Sequence, residues 1–348
     1  MTTDPAGRPA TLMAREAAEG GAAARRFLAA NAETLGRIAG RLRARPPALV
    51  VTCARGSSDH AATYGKYLIE TLLGVPVASA APSTVSLFAA RPDAPEALCI
   101  AISQSGRSPD LIETVTAYKA SGAYTVAIVN DAASPLAALA DAVLPLEAGP
   151  ELSVAATKSY IASLVALAAL VAGWTGDAAL ADAVATLPDR LERAAAADWG
   201  RATASLAEAR NLFVIGRGYG LAVAQEAALK LKETCALHAE PFSSAEVRHG
   251  PMAIVERGFP ILAFATSDAA GDDVRETAAL FAERGAEVLL CDAADPAATL
   301  PSAAIPAAPL LEPILMIQAF YGMANALSLA RGLDPDRPPH LRKVTQTR

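Results

Sequence analysis

Three hydroxyls and an amide crowd into residues 103–108, where Ser103, Gln104, Ser105 and Ser108 follow the apolar run 98–102 and precede a helical pattern over 110–121. Beside the unpartnered N–H groups at the start of a helix, such donors form an anion site that needs no lysine. A phosphate fits that chemistry. The alternative is an ordinary N-cap, because Ser and Asp are common at helix starts whatever the ligand. A second group of reactive side chains lies further on. Lys230 and Glu233 stand three residues apart in a helical pattern and so share a face, either as a surface ion pair or as partners in proton transfer. His249 sits in the run Glu246-Val247-Arg248-His249-Gly250-Pro251, and an imidazole titrates near neutrality. Lys343 lies in a basic tail.

The 348 residues, 53% of them apolar, exceed one typical domain and suffice for two cores. A net charge of −6 argues against nucleic-acid and anionic-membrane surfaces, which require clustered Lys and Arg. No signal segment opens the chain, and the longest apolar stretch, 160–174, reads as too short for a bilayer, so a cytoplasmic location is expected. Cys53, Cys99, Cys235 and Cys291 stand singly in or near apolar runs and read as buried free thiols. His238 and His249 match no compact zinc spacing, and no metal or cofactor is expected.

Apolar strands alternate with helical patterns, which predicts parallel pairing with flanking helices. A leader helix occupies 11–42. Strands are expected at 48–53, 75–79, 98–103 and 124–130, with helices over 60–73 and 110–121. A long helical segment, 155–173 and then 177–209, follows. The first pattern then returns: residues 211–220 repeat the strand, turn and helix start of 48–58, and 259–266 repeat 97–103. Gly218 and Gly285 keep the spacing of Gly56 and Gly122 to within one residue. The chain is therefore a duplicated α/β unit. A dinucleotide site is disfavoured, since the third glycine of the fingerprint is missing after Gly216 and Gly218.

These residues resemble the SIS (sugar isomerase) family. The likeness rests on Ser103-Gln104-Ser105-Gly106, Ala155-Ala156-Thr157-Lys158, Lys230-Leu231-Lys232-Glu233, His238-Ala239-Glu240, residues 246–251 and Leu341-Arg342-Lys343-Val344-Thr345, in that order from about residue 12 onward. Within the family it is nearest to the isomerase half of glucosamine-6-phosphate synthases and to the stand-alone deaminases. The resemblance implies two tandem subdomains, each a flavodoxin-like parallel sheet flanked by helices. Expected boundaries are a leader at 1–45, a first domain at 46–175, connector helices at 176–205, a second domain at 206–335 and a catalytic tail at 336–348. It also implies that the chain does not draw ammonia from glutamine by itself, since the leader leaves no room for a glutaminase.

The resemblance assigns roles. Ser58, Ser103, Gln104, Ser105 and Ser108 match phosphate-binding positions, and Val154 and Ala156 match the sugar-contacting segment. Glu233 matches the base that moves a proton between C1 and C2 of the open-chain sugar, assisted by Lys230. His249 matches the ring-opening histidine, reaching a neighbouring subunit, so a homodimer is expected. Lys343 matches the tail lysine that forms a Schiff base; a neutral amine would be needed, with Arg337 and Arg342 as neighbours that favour it. Ala156 replaces a serine and His340 an asparagine of the synthases, so the sugar contacts differ. The activity implied is deamination of glucosamine 6-phosphate to fructose 6-phosphate and ammonia. The alternatives are an aldose–ketose isomerase, a fructosamine-6-phosphate deglycase or a non-catalytic sugar-phosphate sensor.

Overall fold

The computed structural model describes residues 10–343. Helices α1 (Leu12–Ala18) and α2 (Gly20–Ala44) open the chain. Then come β1 (Val50–Cys53), α3 (Ser57–Leu73), β2 (Val77–Ser79), α4 (Pro82–Ser86), β3 (Leu98–Ser103), α5 (Pro109–Ala120), β4 (Tyr124–Val129), α6 (Pro135–Leu139) and β5 (Ala142–Pro145). Helices α7 (Lys158–Thr175), α8 (Ala178–Ala185), α9 (Leu187–Ala194) and α10 (Gly200–Leu206) lead to the second series. That series is β6 (Asn211–Gly216), α11 (Tyr219–Cys235), β7 (His238–Ser243), β8 (Pro260–Ala265), α12 (Ala269–Glu283), β9 (Glu287–Asp292), β10 (Leu300–Pro301) and α13 (Glu312–Ala330).

Two compact units result. One holds residues 22–150 and 159–188; the other holds the described residues up to 21, the segment Glu151–Lys158 and residues 189–343. Each contains a five-stranded sheet with every pair parallel. The first runs β2-β1-β3-β4-β5, and the second, β10-β9-β8-β6-β7, has the same order read from its other edge. In both, the chain reverses its winding beside the first strand, between β1 and β3 and between β6 and β8. Ligands of open α/β sheets collect beyond the carboxyl ends of the strands at such a point. The glycines that open α3 and α11 also match, with Gly56 at φ 57 and ψ −133 and Gly218 at φ 53 and ψ −126. A side chain is strained there.

The strands form because they are buried on both faces. All six residues of β3 are buried; Cys99 and Ala101 pack with Leu111, Val115 and Val129 in one core cluster. In the other unit, Phe213, Ile215, Ile261 and Ala263 pack with Val274 and Phe281. The helical stretch expected over 177–209 consists of three short helices, α8, α9 and α10. Pro188 falls in the first turn of α9, where a proline starts a helix and cannot continue one. The helix expected from 155 begins at Lys158, and the one expected from 60 begins at Ser57.

The stretch expected to be too short for a bilayer extends to 18 residues as α7, and both this helix and residues 309–330 are long and apolar enough to cross a membrane. Yet 89% and 72% of those windows are buried inside the protein, as in core helices. All four cysteines are buried. Burial pushes Cys99 up to about 12 and Cys235 to about 11, and raises Cys53 and Cys291 further still. A thiol reagent at neutral pH is therefore expected to label none of them in the native protein and all four in denaturant. Mass spectrometry checks this, and labelling of native Cys99 would contradict the packing.

Candidate functional site

In the first unit, the turns after β1 and β3 lie at the winding reversal. Ser103 ends β3 and is buried, and its Oγ accepts the Gly106 N–H at 3.0 Å. Gly106 has φ 61, and a Cβ there would lie 2.2 Å from the Ser134 Oγ, so the turn closes only on glycine. Ser108 is the N-cap residue of α5, followed by Pro109, but its hydroxyl makes no capping bond. Among the described residues, none is bonded to the side chains of Ser58, Gln104 or Ser108. Ser108 therefore does not act as a side-chain N-cap, and its hydroxyl is uncommitted among the described residues. Arg55, in the turn after β1, reaches the buried Asp110 of α5 at 2.8 and 3.0 Å and so ties the two turns together. Arg107 pairs with Asp131 at 2.7 Å, and that hydrogen bond lowers the Asp131 carboxyl.

The corresponding turn of the second unit is filled by its own chain. After β8, Ser267 donates its N–H and hydroxyl to Glu312 at 2.7 and 2.6 Å, and Asp268 caps α12 through the Gly271 N–H at 3.1 Å. Carboxylates already occupy the donors an anion would use. In the first unit's turns, among the described residues, no carboxylate meets the side chains of Ser58, Gln104 or Ser108.

Helix α11 carries the second group. Lys230, 1% exposed, lies 2.5 Å from Glu233 and 3.4 Å from Glu226. The pair is thus no surface ion pair. Burial alone would lower Lys230, but the carboxylates of Glu226 and then Glu233 more than offset it and hold the ammonium above the usual lysine range. Glu226 is fully buried and also accepts from the Tyr321 hydroxyl at 3.3 Å, whereas the Glu233 side chain is 22% exposed. Glu226 was not picked out from the sequence, although its spacing of four residues from Lys230 carried the signal. The arrangement is one half-open carboxylate beside a buried cation whose charge a second carboxylate maintains. It can take and return a proton.

His249 ends a short 3-10 turn, exposed, and among the described residues none hydrogen-bonds to it. Its neighbour Arg248 fixes the turn by donating to Thr277 at 2.6 and 3.1 Å. Lys343 donates to Glu151 at 3.1 Å and to the Ser153 carbonyl at 2.8 Å. The partners favouring a neutral amine were expected to be Arg337 and Arg342; instead the ammonium meets a carboxylate. Val154 and Ala156 are half-buried in the same segment. The segment is held further by Glu16, which accepts the Leu152 and Ser153 N–H groups at 2.5 and 3.1 Å, and by Lys158 paired with Glu19 at 2.5 Å. Neither Glu16 nor Glu151 announces itself in the sequence, because Glu16 meets the 151–158 segment and Glu151 meets Lys343 across long chain separations. Among the described residues, no cluster of His, Cys, Asp and Glu suits a metal ion.

The SIS domain model matches residues 48–173 and 205–309. The chain belongs to the SIS domain family. As an SIS protein it is 35% identical over 308 residues to the glutamine–fructose-6-phosphate aminotransferase (isomerizing) of Aeropyrum pernix, a match covering 83% of this chain and 49% of that protein. The chain thus spans about half the length of the curated relatives it matches. A crystal structure of a protein from Silicibacter pomeroyi, provisionally described as a phosphosugar isomerase, superposes with a TM-score of 0.89 at 46% identity, covering 94% of this chain and all of that one. A glucosamine-6-phosphate deaminase from Thermotoga maritima shares the fold, with a TM-score of 0.79 at 20% identity, covering 97% and 100% of the two chains. The family and the two parallel sheets agree with the reading of the sequence.

Proposed function

We propose that this SIS protein is an amino-sugar-phosphate deaminase that converts glucosamine 6-phosphate to fructose 6-phosphate and ammonia in the cytoplasm. The observation that carries the reading is the Glu226–Lys230–Glu233 row on α11, which supports an enzyme over a sensor: recognition needs the serine turns but not a half-open carboxylate beside a buried ammonium. Ser58, Ser103, Gln104, Ser105 and Ser108 hold the phosphate by fixed dipoles and helix N-termini. Val154 and Ala156 lie along the sugar, and the buried hydroxyls of Ser153 and Thr157, unpartnered among the described residues, are further donors for it.

His249, supplied by a second copy in a homodimer, moves a proton between the ring oxygen and the anomeric hydroxyl. Its exposure suits a residue that reaches outward. Glu233 takes the C2 proton of the open aldose and returns it at C1, which turns the amino aldehyde into a ketimine. Water adds at C2, ammonia leaves, and fructose 6-phosphate remains. Lys343 exchanges with the imine nitrogen or holds the sugar oxygens. Ammonia and fructose 6-phosphate, followed by separate coupled assays, are expected in equal amounts from glucosamine 6-phosphate. Ketose without ammonia would instead favour the aldose–ketose isomerase reading.

Ser108 tests the phosphate assignment. Because its hydroxyl makes no capping bond, Ser108→Ala is expected to change stability by less than about 0.5 kcal/mol while weakening sugar-phosphate binding about tenfold, in line with loss of a hydrogen bond to a charged group. Denaturant unfolding and calorimetric titration measure the two. A large stability loss with unchanged affinity would restore the N-cap reading.

A further inference from the structure

Glu151 is fully buried, yet it is not idle. One of its oxygens accepts the Thr157 N–H at 3.0 Å, and the other accepts the Lys343 ammonium at 3.1 Å. Lys343 in turn donates to the Ser153 carbonyl at 2.8 Å. The segment between 151 and 157 is therefore closed on itself by one carboxylate and fastened to the chain's tail by the same group. Glu16 also holds this segment, through the N–H groups of Leu152 and Ser153. What Lys343 completes is a rigid frame rather than a loose surface contact, since the carboxylate it meets is inaccessible to water.

We propose that Glu151 is a positioning residue that clamps Lys343 against the 151–157 segment and so fixes the place of the tail amine. The functional half of this inference rests on the reading of Lys343 as a participant in sugar-phosphate chemistry; the clamp itself does not. Breaking a buried ion pair leaves an uncompensated charge and frees both partners. Glu151→Gln keeps the shape and the Thr157 contact but removes the charge that holds the ammonium. Glu151→Asp keeps the charge at a shorter reach.

Trypsin reports the clamp directly, because it cleaves after Arg342 and Lys343, and cleavage tracks the population of the opened tail. Cleavage after Arg342, followed by intact mass, is expected to quicken at least about tenfold in Glu151→Gln. Lys343→Gln, which removes the same ion pair from its partly exposed side, is expected to quicken it equally. The double variant should be no faster than either single one, since both remove the same contact. Unchanged cleavage in the single variants, or effects that multiply, would overturn the clamp. On an accepted phosphosugar, Glu151→Gln should lower kcat about tenfold and alter its pH profile, with Glu151→Asp partly restoring both. A freed tail with wild-type kcat and pH profile would overturn the positioning role. Absence of turnover by the wild type on every phosphosugar would instead count against the functional reading, leaving the proteolysis to decide the clamp.

Discussion

Replacing Glu233 with Gln is expected to lower kcat by about 10²- to 10⁴-fold, the usual worth of a positioned acid–base group, while leaving sugar-phosphate affinity within about threefold. The amide is nearly isosteric and cannot carry the proton from C2 to C1. The fold should tolerate the change, because Lys230 keeps its contact with the buried Glu226 at 3.4 Å. Steady-state kinetics with ligand titration separates these quantities. A variant that retained most of its turnover would mean that the half-open carboxylate on α11 is not the base. An equal loss of affinity and rate would mean that it binds rather than reacts.

Lys230→Met is expected to lower stability by about 3–5 kcal/mol and to abolish turnover, because it leaves the carboxylate of Glu226 buried without its cation. This is the largest structural effect we anticipate from a single substitution in the candidate site. The pH dependence follows from the sign of the shift. Burial opposes the charge of Lys230, but Glu226 and Glu233 raise its folded value above the usual lysine one. The stability it contributes is therefore complete below its unfolded value, near pH ~10.4, and is lost only as pH rises through the raised folded value. Chemical denaturation of the wild type should show no loss from this source between about pH 6 and 9 and a decline in stronger alkali. A variant as stable as the wild type at pH 7 would show that the row on α11 is not held by its central charge.

The parallel sheets were legible because their strands are buried on both faces and so appear as continuous apolar runs, and because the whole pattern recurs. Residues 98–103 and 211–216 coincide with β3 and β6. What was not legible follows from long-range contacts. The breaks between α8, α9 and α10 depend on Pro188 and on local capping within an alanine-rich stretch whose periodicity looks continuous. The serine turn could be read from residue types alone, but whether Ser108 caps its helix required the geometry of its hydroxyl. Lys230 and Glu233 were visible as neighbours on a helix; their burial was not, since it depends on α13, which brings Tyr321 to Glu226. The carboxylates of Glu16 and Glu151 had no sequence signal, because the N–H groups that Glu16 accepts and the ammonium that Glu151 meets lie far along the chain. The five-residue reach of the tail beyond Lys343 in the resemblance lies outside the described residues.

The most direct test follows the protons of the sugar. Glucosamine 6-phosphate is incubated in deuterated water with the wild type and with Glu233→Gln, and the signals at C1 and C2 are followed by NMR. The wild type is expected to remove the C2 proton and to yield fructose 6-phosphate whose new C1 position carries the transferred or solvent-derived hydrogen, while Glu233→Gln leaves the C2 signal intact over the same period. A wild type that leaves C2 untouched, or a variant that exchanges it as fast as the wild type, would contradict proton transfer by Glu233.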